Sequence, residues 1–390
     1  MRSLAGHLLF LSLLPAGCLL FLSLLPAALP LSPASPHRRA ILASPAALLL
    51  PPSLSIAAPP SPIPKIQAGS VSLSASIQGY WQLAGGHGAY SEPSVLSTMQ
   101  KHYEAGLTSF DTADIYGPSE AIVGKFTKKN KIGANTKFCV FRDVPRTKDE
   151  CRRRVQASLG KLGKIDVLQF FWADTSNPAY VDVALWLAEL RAEGLYGELG
   201  VTNFALPALE RMVKAGVPVR ANQVQCSAMD RRVVRSGQAA FCKEHDIRLV
   251  SFGTVGSGIL SERYLNRKAP GGQEQDTYSL RMYSTTASRF GSWDLVQELL
   301  TTMDSVAANV RSSGRCASAT IANVAQRFVL QTDPTGGCLL VGVRNADHIE
   351  DNVNTHRFQL EGGEVDEIQK VVDKAKGPRG DVWDLERGLV

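Results

Sequence analysis

The sequence predicts an α/β protein built as a (β/α)8 TIM barrel behind a disordered targeting leader. From residue 66 onward, short apolar runs rich in β-branched or aromatic residues alternate with longer stretches at helical spacing, the pattern of repeated βα units around a parallel sheet. Eight such pairs can be counted, and 390 residues leave room for one barrel plus appendages, since such domains run to about 250 residues or more. The strand candidates are 76–82, 107–111, 137–141, 166–171, 197–201, 219–224, 247–252 and 338–341. The helix candidates between them are 92–105, 118–129, 147–162, 178–193, 205–215, 234–245, 294–311 and 345–353. Start signals support several, such as Thr147 ahead of Lys-Asp-Glu and Pro207 just inside a turn after Asn203. Two more helical stretches, 317–331 and 363–375, flank the last strand and close the chain. One connection breaks the rhythm: residues 253–293 hold Gly271, Gly272 and the scattered aromatics Tyr264, Tyr278 and Tyr283. Loops longer than about 15 residues inside compact domains are usually functional. On a barrel this one emerges at the catalytic face, so it reads as a lid or cofactor clamp.

The N-terminus is of another character. From Met1 to Ser91 there is no Asp or Glu, and the few charges, Arg2, Arg38, Arg39 and Lys65, are basic. An apolar run from Leu8 to Leu14 and a near copy from Leu19 to Leu25 are interrupted by Pro15 and Pro26 and followed by Ala27 and Ala28. A spanning helix needs about 20 apolar residues, which Leu8 to Ala28 would permit. The small residues after the apolar run favour a cleaved signal sequence over a retained anchor, with no stable membrane insertion once it is removed. The acid-free, Ser/Pro/Ala-rich stretch 31–64 then looks like a transit peptide. Residues 1–65 thus resemble the bipartite leader of proteins sent to plastids, and chloroplast delivery is expected of them. The alternative is a secreted or endomembrane protein with a low-complexity linker. Residues 66–390 form the barrel.

The formal net charge of +6 owes much to that leader. Without its four basic residues the body carries about +2, with none of the clustered charge of a nucleic-acid binder. Six of the seven Cys lie in the body, scattered and without a Cys-x-x-Cys pair, which reads as reduced thiols and mildly disfavours secretion. Gly117 to Lys125 only superficially suggests a phosphate-binding loop: six residues separate Gly117 from Gly124, and Phe126 stands where Ser or Thr is needed. Asp174 and Asp182 flank a turn and helix start and do not form the acid pair of a glycosidase, no His/Asp/Glu set has metal-ligand spacing, and Trp81, Trp172 and Trp186 fall on separate elements. Metal and nucleic acid are therefore not expected as partners, and oligomeric state is not encoded in any motif.

An ordered set of motifs carries the chemistry. Gly-Tyr-Trp-Gln-Leu-Ala-Gly-Gly at 79–86, Phe-Asp-Thr-Ala-Asp-Ile-Tyr-Gly at 110–117, Asp-Val-Leu-Gln-Phe at 166–170 and Gly-Val-Thr-Asn-Phe at 200–204 come first. Asn-Gln-Val-Gln at 222–225, Gly-Thr-Val-Gly-Ser-Gly-Ile-Leu at 253–260 and Val-Gly-Val-Arg-Asn at 341–345 follow. Together they resemble the aldo-keto reductase family over essentially all of 70–360. That resemblance implies an oxidoreductase that holds NADP(H) at the C-terminal strand ends and reduces a small carbonyl substrate, an aldehyde or ketone, by hydride transfer without metal.

By the same resemblance Tyr116 is the proton donor. A free phenol has a pKa near 10 and needs a neighbouring cation to become a useful acid. The family supplies a lysine paired with an aspartate, and Asp111 matches the aspartate. Aligning the third strand on Pro145 puts Arg142 at the lysine position, with Lys137 as the alternative match nearer the strand's start. Arginine keeps the charge but not the lysine's shape or its capacity to lose a proton. Phe171 stands where the family has a histidine that hydrogen-bonds the substrate carbonyl, and losing one oriented donor costs roughly 10²–10³ in rate. His87, in a glycine-rich loop, reads as a surface or supporting residue. On the cofactor side the resemblance implies Asn203 and Gln223 at the nicotinamide carboxamide, Phe252 as stacking aromatic with Gly253 after it, and Trp81 at the mouth. Arg344 and Asn352 would hold the adenosine 2′-phosphate and adenine. Asn203 has a plainer role open to it as a helix cap. A second expectation, of a different class, is a pseudoenzyme that binds the dinucleotide and serves as a redox-sensing or partner-binding subunit.

Overall fold

The computed structural model describes residues 63–390. The expected leader, residues 1–65, therefore lies outside the described residues except for 63–65. Of these, Ile63 is buried against Ala75, Leu107 and Val353, and Lys65 already opens the first strand. That strand, β1 (Lys65–Ala68), pairs antiparallel with β2 (Val71–Ser74). Eight parallel strands then close a barrel: β3 (Ser76–Gly79), β4 (Ser109–Asp111), β5 (Ala134–Val140), β6 (Ile165–Trp172), β7 (Glu198–Thr202), β8 (Val219–Gln225), β9 (Arg248–Phe252) and β10 (Cys338–Gly342). All eight expected strands are present. The β1–β2 hairpin was not expected from the sequence.

The hairpin plugs the N-terminal end. Ala68 and Leu73 join Ile77, Val167, Ala221, Val250 and Cys338 in one apolar cluster. The hairpin turn is tied to β7, where the Glu198 carboxylate accepts from the Ser70 backbone N–H at 2.8 Å and its hydroxyl at 2.7 Å. Arg191 completes that ion pair at 2.7 Å.

The helices are α1 (Glu92–Glu104), α2 (Ser119–Asn130), α3 (Lys148–Leu162), α4 (Tyr180–Ala192), α5 (Leu206–Lys214), α6 (Arg232–Arg235), α7 (Gln238–Glu244), α8 (Tyr278–Phe290), α9 (Trp293–Ser312), α10 (Ile321–Thr332), α11 (Ile349–Asn354) and α12 (Gly362–Val372). Thr147 caps α3 as expected, its hydroxyl accepting from the Glu150 N–H at 3.3 Å. The segment 253–293 is not an open loop, because its second half is α8, capped by Thr277. The α8 side chains Leu280, Tyr283, Ala287 and Phe290 pack into a second core with α9 and α10. Among the described residues, no helix is long and apolar enough to cross a membrane.

Gly124, within the run that mimicked a phosphate loop, has a packing role. It sits in α2 where a Cβ would strike the backbone carbonyl of Lys161 at the end of α3. Alanine favours a helix over glycine by roughly 1 kcal/mol, but overpacking against backbone costs about 1–3 kcal/mol. Gly124→Ala is therefore expected to be net destabilising, seen as a lower urea midpoint with an unchanged slope. A higher midpoint would show that the helices yield freely there.

Candidate active site

Side chains two apart on a barrel strand share the inner face, and this spacing builds the site in layers. On β6, Val167 lies in the plug cluster, Gln169 reaches Asp111, and Phe171 sits at the rim. On β8, Ala221 lies in the plug and Gln223 reaches the same carboxylate. Asp111 ends β4 and is only 1% exposed. Three donors converge on it. Lys137 Nζ bonds Oδ1, while Gln169 Nε2 and, at 3.1 Å, Gln223 Nε2 bond Oδ2. Lys137 also donates to the Thr112 carbonyl at 2.9 Å, and its Nζ lies 5.2 Å from the centre of the Tyr116 ring.

This corrects the assignment of Arg142. It lies beyond the end of β5, exposed to water, and makes no ion pair with Asp111. The lysine beside the carboxylate is Lys137. The physical reason is register: Asp111 pairs with Asn135, so the inward position two residues on is Lys137. A charge on a buried strand must face its counter-ion, whereas Arg142 is satisfied by solvent. Burial opposes the Lys137 charge, but Asp111, with Tyr116 behind it, outweighs burial and holds the ammonium above its ordinary value.

Tyr116 follows a turn stapled to β5. Asp114 accepts from the Cys139 N–H at 3.2 Å and pairs with Arg154 at 2.8 Å, and the Asp114 N–H donates to the Lys137 carbonyl at 3.4 Å. Burial pushes the Tyr116 phenol up, Lys137 draws it down, and Asp111 adds to the rise, leaving it at about 12. Phe171 is 8% exposed and packs with Ala113 and Cys139, with Tyr116 and Trp383 against the same cluster. The position offers no hydrogen-bond donor.

Trp383 comes from the C-terminal segment and was not anticipated. Its ring meets Phe171 edge-on at 6.5 Å. The segment is anchored by Arg232, 2% exposed, which pairs with Asp230 at 2.7 Å and Glu386 at 2.8 Å. Trp383 itself has φ of +72°, a conformation that a bulky residue holds only when its surroundings enforce it.

The other expected positions surround this core. Asn203, after β7, has φ of +57° and gives its N–H to the Gln223 carbonyl at 2.9 Å. It does not cap α5, whose cap is Ala205. Its Oδ1 is buried without a partner. Phe252 ends β9 half-buried, and Gly253 follows at φ of +71°, where a Cβ would meet the Tyr283 ring at 2.5 Å. Trp81 stacks edge-on with His87 at 4.7 Å. His87 is buried, bonded to the Gly85 carbonyl at 2.8 Å and the Ser279 hydroxyl at 2.9 Å, so it joins the β3 loop to α8. Arg344 is exposed beyond β10 beside that loop, and Asn352 is buried in α11.

Residues 77–373 match the model of the aldo/keto reductase family. The chain belongs to that family. Among its relatives is a chloroplastic pyridoxal reductase from Arabidopsis thaliana, 29% identical over 54% of this chain and 65% of that protein's length, a little under two thirds. Aldo-keto reductase str7 from Strobilurus tenacellus is 25% identical over 74% of this chain and 84% of its own. Among solved structures, a glycerol dehydrogenase from Gluconobacter oxydans superposes with a TM-score of 0.65 at 20% identity, covering 83% of this chain and 98% of that one. The holo form of a Bacillus halodurans aldo-keto reductase gives 0.62 at 21%, covering 79% and 96%. These two likenesses bear on the fold, an aldo-keto reductase (β/α)8 barrel.

The geometry separates the two cations sharply. Lys137→Met leaves Asp111 buried and uncompensated and is expected to cost about 3–5 kcal/mol in urea unfolding. Arg142→Ala, at an exposed site, should stay within about 0.5 kcal/mol of the parent. Equal losses in the two variants would contradict the placement of Lys137.

Proposed function

We propose that this chain is an NADP(H)-dependent reductase of aldehydes or ketones, with Tyr116 donating the proton. The observation that carries the reading is the convergence of a phenol, an ammonium and a carboxylate, Tyr116, Lys137 and Asp111, at the barrel end where Gln223 and Asn203 also lie. The residues present fit the dinucleotide. The unpartnered Asn203 Oδ1 suits the amide N–H of a nicotinamide, and the exposed Arg344 guanidinium suits a phosphate. Asn203, Gln223, Phe252 and Gly253 would hold the nicotinamide half, with Trp81 at the mouth and Arg344 and Asn352 at the adenosine end. When bound, the cofactor supplies the hydride to the carbonyl carbon. Tyr116 gives its hydroxyl proton to the carbonyl oxygen, yielding the alcohol, and Lys137 stabilises the phenolate left behind. Asp111 keeps Lys137 charged and in place.

Phe171 withholds the second hydrogen bond to the carbonyl oxygen and, with Ala113, Cys139 and Trp383, makes the rim apolar. Substrates with an apolar or aromatic group beside the carbonyl suit that rim. The same residue supports a second reading, a dinucleotide-binding protein of weak turnover that serves as a redox-sensing or partner-binding subunit. For the leader, the acid-free composition and the chloroplastic relative support plastid delivery. A reporter fused behind residues 1–65 is expected in plastids, and its retention in the cytosol would reject that.

Residues 63–390 should quench NADPH fluorescence on binding and oxidise NADPH with hydrophobic aldehydes. Tyr116→Phe should bind NADPH as well but lose about 10²-fold or more in kcat, the scale of general acid catalysis. Phe171→His should raise kcat by roughly tenfold or more if the missing donor limits the rate. Equal turnover in the parent and Tyr116→Phe would remove Tyr116 from the mechanism.

A further inference from the structure

Gln169 is a fully buried polar side chain on the inner face of β6, 1% exposed. Its apolar neighbours Leu168 and Phe170 turn outward into the helix-facing core. An amide taken out of water must find partners for both its ends or it destabilises the barrel. Gln169 does so with two groups only. Its Nε2 donates to Asp111 Oδ2, and its Oε1 accepts from Gln223 Nε2 at 2.7 Å. Gln223 Nε2 in turn donates to the same Asp111 oxygen. The three side chains form a closed triangle that spans β4, β6 and β8. Room for it comes from β7, where Gly200 lacks the Cβ that would press on Gln169 Cγ at 3.3 Å.

The triangle has one corner on each half of the site. Asp111 seats Lys137 and hence the phenol. Gln223 stands next to Asn203 on the dinucleotide side, and its carbonyl oxygen takes no part in the triangle. We propose that Gln169 is a positioning residue that fixes the proton-donor set and the cofactor-facing amide relative to one another. Its oxygen joins Asp111 Oδ2 in setting which way the Gln223 amide is turned, with the nitrogen inward and the side-chain oxygen left for a ligand, and its nitrogen shares the load of the Asp111 charge. The inference rests on the reading of the site as NADP(H)-binding for its cofactor half, and on the hydrogen bonds alone for its Asp111 half.

The two halves are tested separately. Gln169→Leu and Gln169→Met keep the volume and remove both hydrogen bonds. In either variant, folded by circular dichroism, the NADPH dissociation constant should rise roughly 2- to 10-fold, the value of about one net hydrogen bond, and kcat should fall with it. Gln169→Glu places a second carboxyl against Asp111, and two such groups share a proton, so the folded state holds that proton to a higher pH than the unfolded chain does. The penalty therefore grows as pH rises. The melting temperature of ligand-free Gln169→Glu should fall relative to the parent between about pH 5 and pH 8, while the offset of Gln169→Leu should stay constant. NADPH affinity and kcat within twofold of the parent in both apolar variants, or a Gln169→Glu melting profile parallel to the parent's, would overturn the proposal. A parent chain that fails to bind NADPH would instead sink the functional reading, and the melting profile would still decide whether Gln169 serves Asp111.

Discussion

A carboxylate shut away from water governs this barrel. Asp111 is 1% exposed, and a buried charge of that kind persists only if a counter-ion and further donors surround it. Each partner comes from a different strand: Lys137 from β5, Gln169 from β6 and Gln223 from β8. Satisfying one side chain therefore fixes inward positions across the barrel, because a slip of one residue on any strand would turn its partner to the outer face. The cation that neutralises Asp111 is the same one that lies beside Tyr116. The placement of Asp111 in the folded barrel and that of the ammonium beside the Tyr116 phenol thus come from one ion pair.

The interior divides by height. At the N-terminal end an apolar plug of Ala68, Leu73, Ile77 and their neighbours excludes water. Above it lies the polar layer around Asp111, and above that the aromatic rim of Phe171 and Trp383. A dry floor beneath the carboxylate strengthens every electrostatic contact it makes. The rim is closed from far along the chain by the Arg232, Asp230 and Glu386 cluster, which holds Trp383 in a conformation that no local preference would give. The β3 loop and α8 are joined by His87 and Ser279 on another side of the mouth.

The eight strands and most helices were legible because hydrophobic periodicity and caps are local signals. The β1–β2 hairpin was not, since its strands, Lys-Ile-Gln-Ala and Val-Ser-Leu-Ser, are only four residues long and gain their burial from the barrel end they cover. Helix α8 hid inside an expected loop because the groups that seat it on the barrel, His87, Gln225 and Gly253, are remote in sequence. Asp111 and Tyr116 were readable from one motif. Lys137 was misjudged because the third strand was counted from Pro145, beyond its end; alternation along Asn135, Lys137 and Cys139 carries the correct face. Gln169 left only a faint signal, a polar residue in an apolar run. Trp383 left none, for nothing near it in sequence says what its ring touches.

The two positions where this chain was expected to depart from its family differ in what the fold allows. At the lysine the fold allows no change, since any neutral residue there strands Asp111 in a dry interior. At 171 no buried charge or unpaired polar atom depends on the side chain, and the ring is held by Ala113, Cys139 and Trp383. Phenylalanine is thus compatible with an intact barrel while removing one route for polarising a carbonyl. In the proposed mechanism the remaining donor is Tyr116, whose phenol burial raises to about 12, and Lys137 would stabilise the phenolate it leaves. In that mechanism, with one donor in place of two, the Asp111 and Lys137 pair would carry more of the electrostatic work, and any residue that holds Asp111 in position would gain correspondingly in influence over the reaction.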